Sequence, residues 1–529
     1  MGTKLAHRQL CPRDRIQKMG KKISLLDTTL RDGAQTEGVS FSVLDRLQII
    51  RQLSSLGLDY IEAGVPLTGG IDGEIFRVAA GEPALAAFGS TRRKDKKVNT
   101  DAGLAALLSS GAPTIVIVGK TCPSQIKTVL KTSNNINLKM IEESVSYLKS
   151  AGRKVIYDAE NFFNAYLEDK EYAVTCLRAA ENGGADIITL CDTNGSSLPD
   201  FIAEVTEEID GLISPEIGIH CHDDMGLATA NTLAAVEAGA THIQGTLNGI
   251  GERCGNASLS ALIPTLQLKL NYNLIPEENL LLLYDICAEV ARITGIALPN
   301  NSPYTGSSAF AHKSGLHTDA MLKDRKTFEH IEPSLVGNKR KILMSGIGGK
   351  SALLHAISRH FSLDKIQIKL LLEKLKSKEK AGYQYEGADA SLLLDVKKIL
   401  GEYLPAFEII GYKSVSDYPA SPKSASVTVA VKVRDEVIEH TETGEGPVHA
   451  MDKALRKALT KFYPVIADVS LTDYTVRVLN SEKDTAANVR VNITSTDGNN
   501  TWTTVGVSPN IIDASAKALR DSIEYKLLQ

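Results

Sequence analysis

Two histidines stand two residues apart at the end of an alternating apolar run, in the segment Ile219-His220-Cys221-His222-Asp223-Asp224. Residues two apart on a β-strand point to the same face, so the two imidazoles are predicted to lie side by side. Neutral histidine is the commonest metal ligand, and the pair therefore suits half of a divalent-metal site. The alternative is that both histidines are merely polar residues on a solvated strand face. The rest of the chain has to decide between this alternative and a metal site.

Eight short β-rich runs, each followed by a turn and a helical stretch, fill residues 23–290. The runs are Ile23–Asp27, Leu58–Glu62, Leu85–Gly89, Thr114–Gly119, Lys154–Asp158, Asp186–Cys191, Glu216–His222 and Thr241–Leu247. The helical patterns between them include Ser42–Leu56, Leu138–Ala151, Tyr172–Asn182 and Ala228–Ala238. Eight units of about 30 residues predict an α/β fold, a TIM (β/α)8 barrel. A doubly wound sheet is the structural alternative, but it rarely runs to eight evenly spaced units.

Polar clusters follow most of these runs at the same end. They occupy residues 30–33, 90–93, 158–161, 192–195 and 248–256, and the histidine pair ends the seventh run. In a TIM barrel the working residues sit on the loops after the carboxyl ends of the strands. Scattered surface polarity would not select one end of nearly every strand, so this distribution favours the metal site.

Composition and charge exclude several classes of function. The 529 residues, 43% hydrophobic and 23% charged, predict a soluble globular protein of two or three domains. A formal net charge of −4 gives no case for nucleic acid or an anionic membrane as partner. No apolar run approaches the roughly 20 residues of a membrane helix. The seven scattered cysteines lack a CxxC pair, which predicts reduced thiols in a cytoplasmic protein.

The segments outside the barrel have distinct patterns. Residues 1–22 are basic without the apolar core of a secretory signal; we expect a disordered extension or a start ahead of Met19, with a transit segment as the weaker alternative. Residues 291–404 are predicted to form helical linker subdomains, after the helical pattern Leu280–Thr294 and including Ser351–His360 and Ile366–Lys378. The glycine-rich segment 346–351 is not expected to bind nucleotide, because Met344 replaces a glycine of the phosphate-loop motif.

Residues 405–529 contain β-branched strands leading into a helix, and this unit occurs twice. The predicted strands are Ala425–Val433, Asp473–Leu479, Ala487–Ser495 and Thr501–Val507. Two copies predict a duplicated α+β domain. Such a domain can bind a small effector between its copies or form a dimer surface, and a purely structural appendage is the alternative.

Two further residues complete a plausible set of metal ligands. Asp32, after the first run, adds a hard oxygen to His220 and His222, and Asn256, after the eighth, adds a carbonyl oxygen. Mixed nitrogen and oxygen ligands with open positions are typical of a catalytic divalent metal rather than a structural one. A 2-oxo acid suits those positions, with the metal acting as a Lewis acid on the keto carbon.

Four other polar residues are candidates for catalysis or substrate binding. Arg31 could stabilise a developing alkoxide or enolate, although an ion pair with Asp32 would also explain it. Glu160 is a candidate acid or base, against the alternative of a solvated loop glutamate. Thr193 offers a hydroxyl to a substrate carboxylate, but threonine is also an ordinary turn residue here. His317 could reach a barrel mouth of a neighbouring subunit as general base, although a lone histidine is more often structural.

Three sequence motifs of the predicted barrel are similar to those of a known enzyme family. The segments LDTTLRDGAQ at 26–35, HxH at 220–222 and NGIGERCGN at 248–256 resemble the metal-dependent Claisen-condensing TIM-barrel family. This family includes 2-isopropylmalate, homocitrate and citramalate synthases and 3-hydroxy-3-methylglutaryl-CoA lyase. Further segments are similar to its long citramalate synthase branch: FGSTRR at 88–93, YDAE at 157–160, CDTNG at 191–195, FAHK at 310–313, GYQYEGA at 382–388 and DSIEYKL at 521–527.

The resemblance implies condensation of acetyl-CoA with pyruvate to (R)-citramalate and CoA, in isoleucine biosynthesis. It implies a divalent metal (Mn, Mg or Zn) and a homodimer whose carboxyl-terminal domain binds isoleucine as feedback effector. The implied roles are metal binding by Asp32, His220, His222 and Asn256, proton transfer by Glu160 and His317, and substrate contacts from Arg31, Arg92 and Thr193. Arg31 would also polarise the keto oxygen.

Two departures from the family pattern stand out. Phe328 occupies a position where relatives usually carry a tyrosine that reaches the active site, which removes one hydroxyl. Cys221 to Asp224 replace the more usual Thr-His-Asn-Asp, but the ligand spacing is intact. The alternatives are 2-isopropylmalate synthase, which accepts a branched oxo acid, a lyase running the reverse reaction, and a non-catalytic amino-acid-binding protein on an inactive barrel.

Overall fold

The structure, a computed structural model, describes residues 20–66, 71–313, 315–343, 353, 357, 361–417, 424–479 and 481–529. Most of the basic extension 1–22, the glycine-rich segment 346–351 and most of the predicted helix Ser351–His360 lie outside these residues. The chain forms two compact units. One runs up to Phe310 and includes Glu332–Lys339, and the other comprises Ala311–Ile331 and Arg340–Gln529.

The first unit is a closed barrel of eight parallel strands, numbered in chain order, in which β8 pairs with β1. The strands are β1 Ser24–Asp27, β2 Tyr60–Glu62, β3 Leu85–Ser90, β4 Thr114–Lys120, β5 Lys154–Glu160, β6 Ile187–Asp192, β7 Glu216–Cys221 and β8 His242–Gly245. All eight predicted runs coincide with these strands to within two residues at each end. The predicted TIM barrel is therefore confirmed.

The barrel strands are nearly continuous apolar runs because both of their faces are covered. One inner layer is formed by residues of five strands, Leu26, Ala86, Val116, Ile156 and Ile187, all fully buried. The outer faces lie under the helices of the unit. These are Val43–Leu56, Ile71–Val78, Ala102–Ser109, Asn134–Ser150, Phe162–Glu168, Lys170–Asn182, Pro199–Asp210, Ala228–Ala238, Leu259–Leu270 and Leu283–Thr294.

The helix Val43–Leu56 shows how local sequence sets these bounds. Ser42 and Asp45 form a reciprocal capping box at its amino end, which satisfies backbone N–H groups that have no partner inside the helix. At its carboxyl end Gly57 adopts a left-handed conformation with φ of 89°, which costs glycine little. The capping pair and the glycine therefore fix where the helix between β1 and β2 begins and ends.

The second unit contains helical segments followed by a duplicated α+β domain. Its longer helices are Gly315–Lys323, Lys365–Lys380, Asp389–Leu400, Pro447–Thr460 and Ile511–Leu527. A short parallel pair joins β9 Ala311–His312 to β10 Lys341–Ile342. Two antiparallel three-stranded sheets follow: β11 Glu408–Ser416, β12 Ala425–Val433 and β13 Glu436–Gly444, then β14 Ser470–Val478, β15 Val489–Thr496 and β16 Thr501–Ser508.

Each of these sheets is followed by one helix, so the predicted duplication is confirmed. Alternate residues of β12 and β15, among them Val427, Val429 and Ile493, share one apolar core with both helices. The sequence did not predict β11 and β13, whose burial alternates weakly along polar residues. Across the described ranges, none of the helices has the length and apolar character needed to span a membrane.

Candidate active site

A cavity of about 230 Å³ opens at the carboxyl ends of the barrel strands. Six of the predicted site residues line it, namely Arg31, Asp32, Glu160, Thr193, His220 and His222. Phe88, Val118 and Cys191 give it an apolar wall, and Gln35, Asp158 and Glu252 complete the lining. The barrel topology therefore brings residues from distant parts of the sequence to one small polar chamber.

The two histidines lie side by side, as their spacing predicts. Their ring centroids are 5.2 Å apart, and both side chains are buried. Burial lowers the pKa of His220, and burial together with the neighbouring His220 lowers the pKa of His222 to about 4. Both imidazoles are therefore neutral at pH 7, which is the form that offers a lone pair to a metal.

Asp32 and Asn256 approach the same point as the imidazole of His220. The Asp32 Oδ2 lies 3.6 Å from His220 Nε2, and the Asn256 side-chain amide lies 3.3 Å from that nitrogen and 3.4 Å from Asp32 Oδ2. The loop holds Asn256 in place, since its backbone N–H donates to Gly249 O at 3.0 Å. A Cβ at Gly251 would stand 2.0 Å from Asn256 Oδ1, so only glycine fits there.

The donor chemistry of these four residues fits a divalent metal. Two neutral nitrogens, one carboxylate and one amide oxygen form a mixed set of the kind that catalytic sites use. Two polar atoms in the set, His222 Nδ1 and Asn256 Oδ1, are buried without a hydrogen-bond partner. Within the described residues, no cluster of three or more His, Cys, Asp or Glu side chains is arranged so that it could hold a metal ion. Asp32 is instead engaged by Arg31.

Arg31 is held by two carboxylates and one aromatic ring. Its Nε donates to Glu62 Oε2 at 2.6 Å, Nη1 contacts Asp32 Oδ1, and its guanidinium carbon lies 4.0 Å from the centre of the Phe88 ring. Burial opposes the charge on Asp32, yet Arg31 and the histidines keep the pKa of Asp32 below its ordinary value. Burial raises the pKa of Glu62 although Arg31 opposes this shift. Arg31 is thus a fixed positive group directed at the chamber.

Glu160 and Thr193 stand on neighbouring strand ends. The Glu160 carboxylate forms an ion pair with Lys120 at the end of β4. The Thr193 hydroxyl accepts the backbone N–H of Asn161 at 2.9 Å, which leaves its own proton free for an acceptor in the chamber. Thr193 O in turn accepts from Arg253 Nη2 at 2.8 Å. The arrangement offers one carboxylate for proton transfer and one hydroxyl for a substrate oxygen.

Comparison with known proteins assigns both units. Residues 22–285 match the HMGL-like family model, 304–382 the homocitrate synthase post-HMGL domain, and 386–527 the LeuA allosteric (dimerisation) domain. The (R)-citramalate synthase of Aquifex aeolicus is 46% identical, over 97% of this chain and 99% of its own length. That of Synechocystis is 44% identical, over 96% of this chain and 97% of its own.

The chain belongs to the (R)-citramalate synthase family. A probable 2-isopropylmalate synthase of Methanopyrus kandleri is more distant, with 32% identity over 94% of this chain and 97% of its own length. The resemblance inferred from the motifs is therefore confirmed, both for the barrel and for the carboxyl-terminal domain.

Three of the residues predicted for this family's chemistry, Asn256, Arg92 and His317, are not among those lining the chamber. Arg92 is buried after β3, where its Nε pairs with Glu143 at 2.7 Å and its Nη1 donates to the Arg93 and Lys96 carbonyls. The substrate contact of Arg92 stays a prediction. His317 belongs to the second unit, where its exposed imidazole stacks on Phe328 with ring centroids 4.0 Å apart.

Several buried or half-buried polar residues of the barrel were given no role from sequence. Glu62 and Lys120 pair with Arg31 and Glu160, and Gln244 on β8 joins His220 Nδ1 to Asp158 at 2.9 and 2.7 Å. A glutamine or glutamate inside a short barrel strand is the feature that could have revealed them, because such a residue needs a partner when it is buried.

Proposed function

We propose that the chain condenses acetyl-CoA with pyruvate to give (R)-citramalate and free CoA. The observation that carries the proposal is the chamber itself, in which a fixed arginine, an aspartate, two neutral histidines and a glutamate converge at one barrel mouth. The (R)-citramalate synthases that this chain resembles over nearly its full length support the choice of reaction.

The chemistry requires three steps. A base removes a proton from the acetyl methyl group, and the resulting enolate carbon bonds to the keto carbon of pyruvate, whose oxygen takes a proton and becomes the hydroxyl. Water then adds to the thioester carbonyl, and the carbon–sulfur bond breaks to release CoA as a thiol. We assign proton transfer to Glu160 and His317 and stabilisation of the keto oxygen's developing charge to Arg31.

The remaining chamber residues hold and orient the oxo acid. Asp32, His220, His222 and Asn256 would bind a divalent cation, which when bound makes the keto carbon more electrophilic. Thr193 donates its hydroxyl proton to the substrate carboxylate. Phe88 and Val118 present an apolar surface to the substrate methyl group and exclude water from it.

We also propose regulation and assembly through the second unit. The match of residues 386–527 to the LeuA allosteric (dimerisation) domain supports a homodimer regulated by an effector. We assign isoleucine as that feedback effector, and hence a role in isoleucine biosynthesis. The six described cysteines are all free thiols, which supports a cytoplasmic location.

The experiment measures CoA thiol release from acetyl-CoA with pyruvate, 2-oxobutyrate and 2-oxoisovalerate, in Mn²⁺, Mg²⁺ or Zn²⁺ and after chelation. We expect the highest kcat/KM with pyruvate, loss of activity on chelation, and a lower rate with isoleucine but not with leucine. Preference for 2-oxoisovalerate would instead identify a 2-isopropylmalate synthase, the activity named for the Methanopyrus relative. If none of the three acids gives thiol release, a non-catalytic amino-acid-binding protein is favoured.

A further inference from the structure

His220 has two ring nitrogens, and only one of them faces the proposed ligand set. Nε2 lies towards Asp32 and Asn256, whereas Nδ1 lies 2.9 Å from Gln244 Oε1 on the neighbouring strand. In a neutral imidazole one nitrogen carries a proton and the other a lone pair. Whether Nε2 can bind a metal therefore depends on what Gln244 offers to Nδ1.

The orientation of the Gln244 amide is set by two acceptors behind it. Its Nε2 donates to Asp158 Oδ1 at 2.7 Å and to Thr189 Oγ1 at 3.0 Å. The Thr189 hydroxyl in turn donates to the Asp158 carboxylate. Because an ionised carboxylate only accepts, both amide protons point towards Asp158 and Thr189, and Oε1 must face His220.

The strand register builds this group into the barrel interior. His220 pairs in register with Gln244 across β7 and β8, and Asp158 pairs with Thr189 across β5 and β6. Gly218, on β7 opposite Thr189, leaves the space that Thr189 needs, since a Cβ there would stand 2.6 Å from Thr189 Oγ1. The side chains of Gln244 and Thr189 are fully buried, and that of Asp158 nearly so.

We propose that Gln244 is a positioning residue, oriented by Asp158 and Thr189, that holds the proton of His220 on Nδ1 and so keeps the Nε2 lone pair directed at the metal. This inference rests on the proposed function for its metal, but the tautomer it requires is a property of the metal-free protein. A hydrogen bond of this kind behind a metal ligand typically changes metal affinity by roughly 10- to 100-fold.

Three substitutions test the hydrogen-bond relay that runs from Asp158 and Thr189 through the Gln244 amide to His220 Nδ1. Gln244→Met removes the acceptor and keeps the volume, so the His220 proton is no longer held on Nδ1. Gln244→Glu keeps an acceptor for Nδ1–H and serves as the conservative rescue. Asp158→Asn replaces the obligate acceptor by an amide that can also donate, so the Gln244 amide is free to reverse and donate to Nδ1 instead.

The first readout is the His220 tautomer in metal-free protein, from long-range ¹H–¹⁵N correlation of ¹⁵N-histidine-labelled samples, with His220→Gln to assign the signal. The second is Mn²⁺ affinity by calorimetry. We expect Nδ1–H in the native protein and in Gln244→Glu, and a mixed or reversed tautomer in Gln244→Met and Asp158→Asn. The latter two are expected to bind Mn²⁺ roughly 10- to 100-fold more weakly.

The matched control is Gln267→Met, which removes a glutamine of the same unit whose amide bonds the Ile275 backbone. It should leave both readouts unchanged, and circular dichroism checks that every variant is folded. If Gln244→Met misfolds, Gln244→Glu and Asp158→Asn still test the relay. An Nε2–H tautomer in the native protein, or native Mn²⁺ affinity in folded Asp158→Asn, would overturn the proposal. A native Nδ1–H tautomer without condensation activity would count against the proposed function alone.

Discussion

Two carboxyls inside the barrel and one carboxyl of the duplicated domain have pKa values that are shifted in opposite directions. In the barrel, burial raises the pKa of Asp27 to about 7 and of Asp158 to about 6. In the duplicated domain, hydrogen bonds from Lys457 and His440 lower the pKa of Glu442 to about 2. The core of that domain is formed by apolar side chains, and Glu442 pairs with the exposed Lys457 outside that core.

This difference separates a region organised for chemistry from one organised for stability. A carboxyl whose pKa burial raises is less favourable when ionised, so its contribution to folding stability falls as pH rises from the ordinary value to the shifted one. A carboxyl whose pKa a cation lowers contributes stability at neutral pH. Shifts of the first kind are common where charged groups are held away from water for function, and Asp27 and Asp158 show them inside the barrel.

The largest expected effect on kcat/KM comes from replacing one histidine of the barrel by alanine, with one histidine of the duplicated domain as the control. We expect His222→Ala to lower thiol release more than ~100-fold, beyond the roughly 10–100-fold typical of groups that only support a ligand. The control, His440→Ala on β13, removes a histidine that pairs with Glu442 and should leave the rate unchanged. The measurement is kcat/KM for pyruvate at saturating metal. Equal losses in both variants would remove the distinction between the regions.

The next effect compares two arginines of the barrel. Arg31→Lys should lower kcat by about 10²–10³-fold, because a preorganised charge at the developing oxyanion is lost. Arg92→Lys should retain kcat and KM within a few-fold, since Arg92 is bonded to Glu143 and to loop carbonyls. Steady-state kinetics with pyruvate checks both. A large rise in KM for pyruvate in Arg92→Lys would instead show that Arg92 contacts the substrate, as the sequence predicts.

A smaller effect tests the proposed catalytic histidine of the second unit. Phe328 stacks on His317, and an aromatic stack of this kind is worth about 0.5–1.5 kcal/mol. Phe328→Ala should therefore lower kcat by about 2–10-fold, whereas Phe328→Tyr keeps the stack and should match the native rate. The pH profile of kcat is recorded for both variants. If Phe328→Ala turns over as fast as the native protein, the stack does not position His317.

The smallest effect is on pH-dependent stability in the duplicated domain. The pKa of Glu442 is lowered from 4.5 to about 2, so the stability it contributes is present above pH 4.5 and lost as pH falls towards 2. Glu442→Gln should flatten this part of the pH dependence. Urea denaturation followed by Trp502 fluorescence reports on the second unit, because Trp502 is the only tryptophan. An unchanged pH dependence would show that the pairing with Lys457 is too solvent-screened to matter.

The sequence predicted the barrel strands and the chamber well because both follow from local patterns. Apolar runs of β-branched residues mark strands that are buried on two faces, and the polar residues after them must meet at one end of a parallel barrel. β13 escaped prediction because the segment Glu436–Gly444 is polar and becomes a strand through its register with β12. The roles of Gln244 and Glu62 were not predicted, because their partners His220 and Arg31 lie on other strands or loops, far away in the sequence, and no local pattern indicates them.

The central claim is that the barrel mouth forms a carbon–carbon bond between acetyl-CoA and pyruvate. Its most direct test is ¹³C NMR of a reaction that contains acetyl-CoA labelled at the acetyl methyl carbon. The account predicts that the methyl signal converts to the methylene signal of 2-hydroxy-2-methylsuccinate with the native protein, and that it does not convert with His222→Ala. Label recovered only as acetate, or equal product from both proteins, would contradict it.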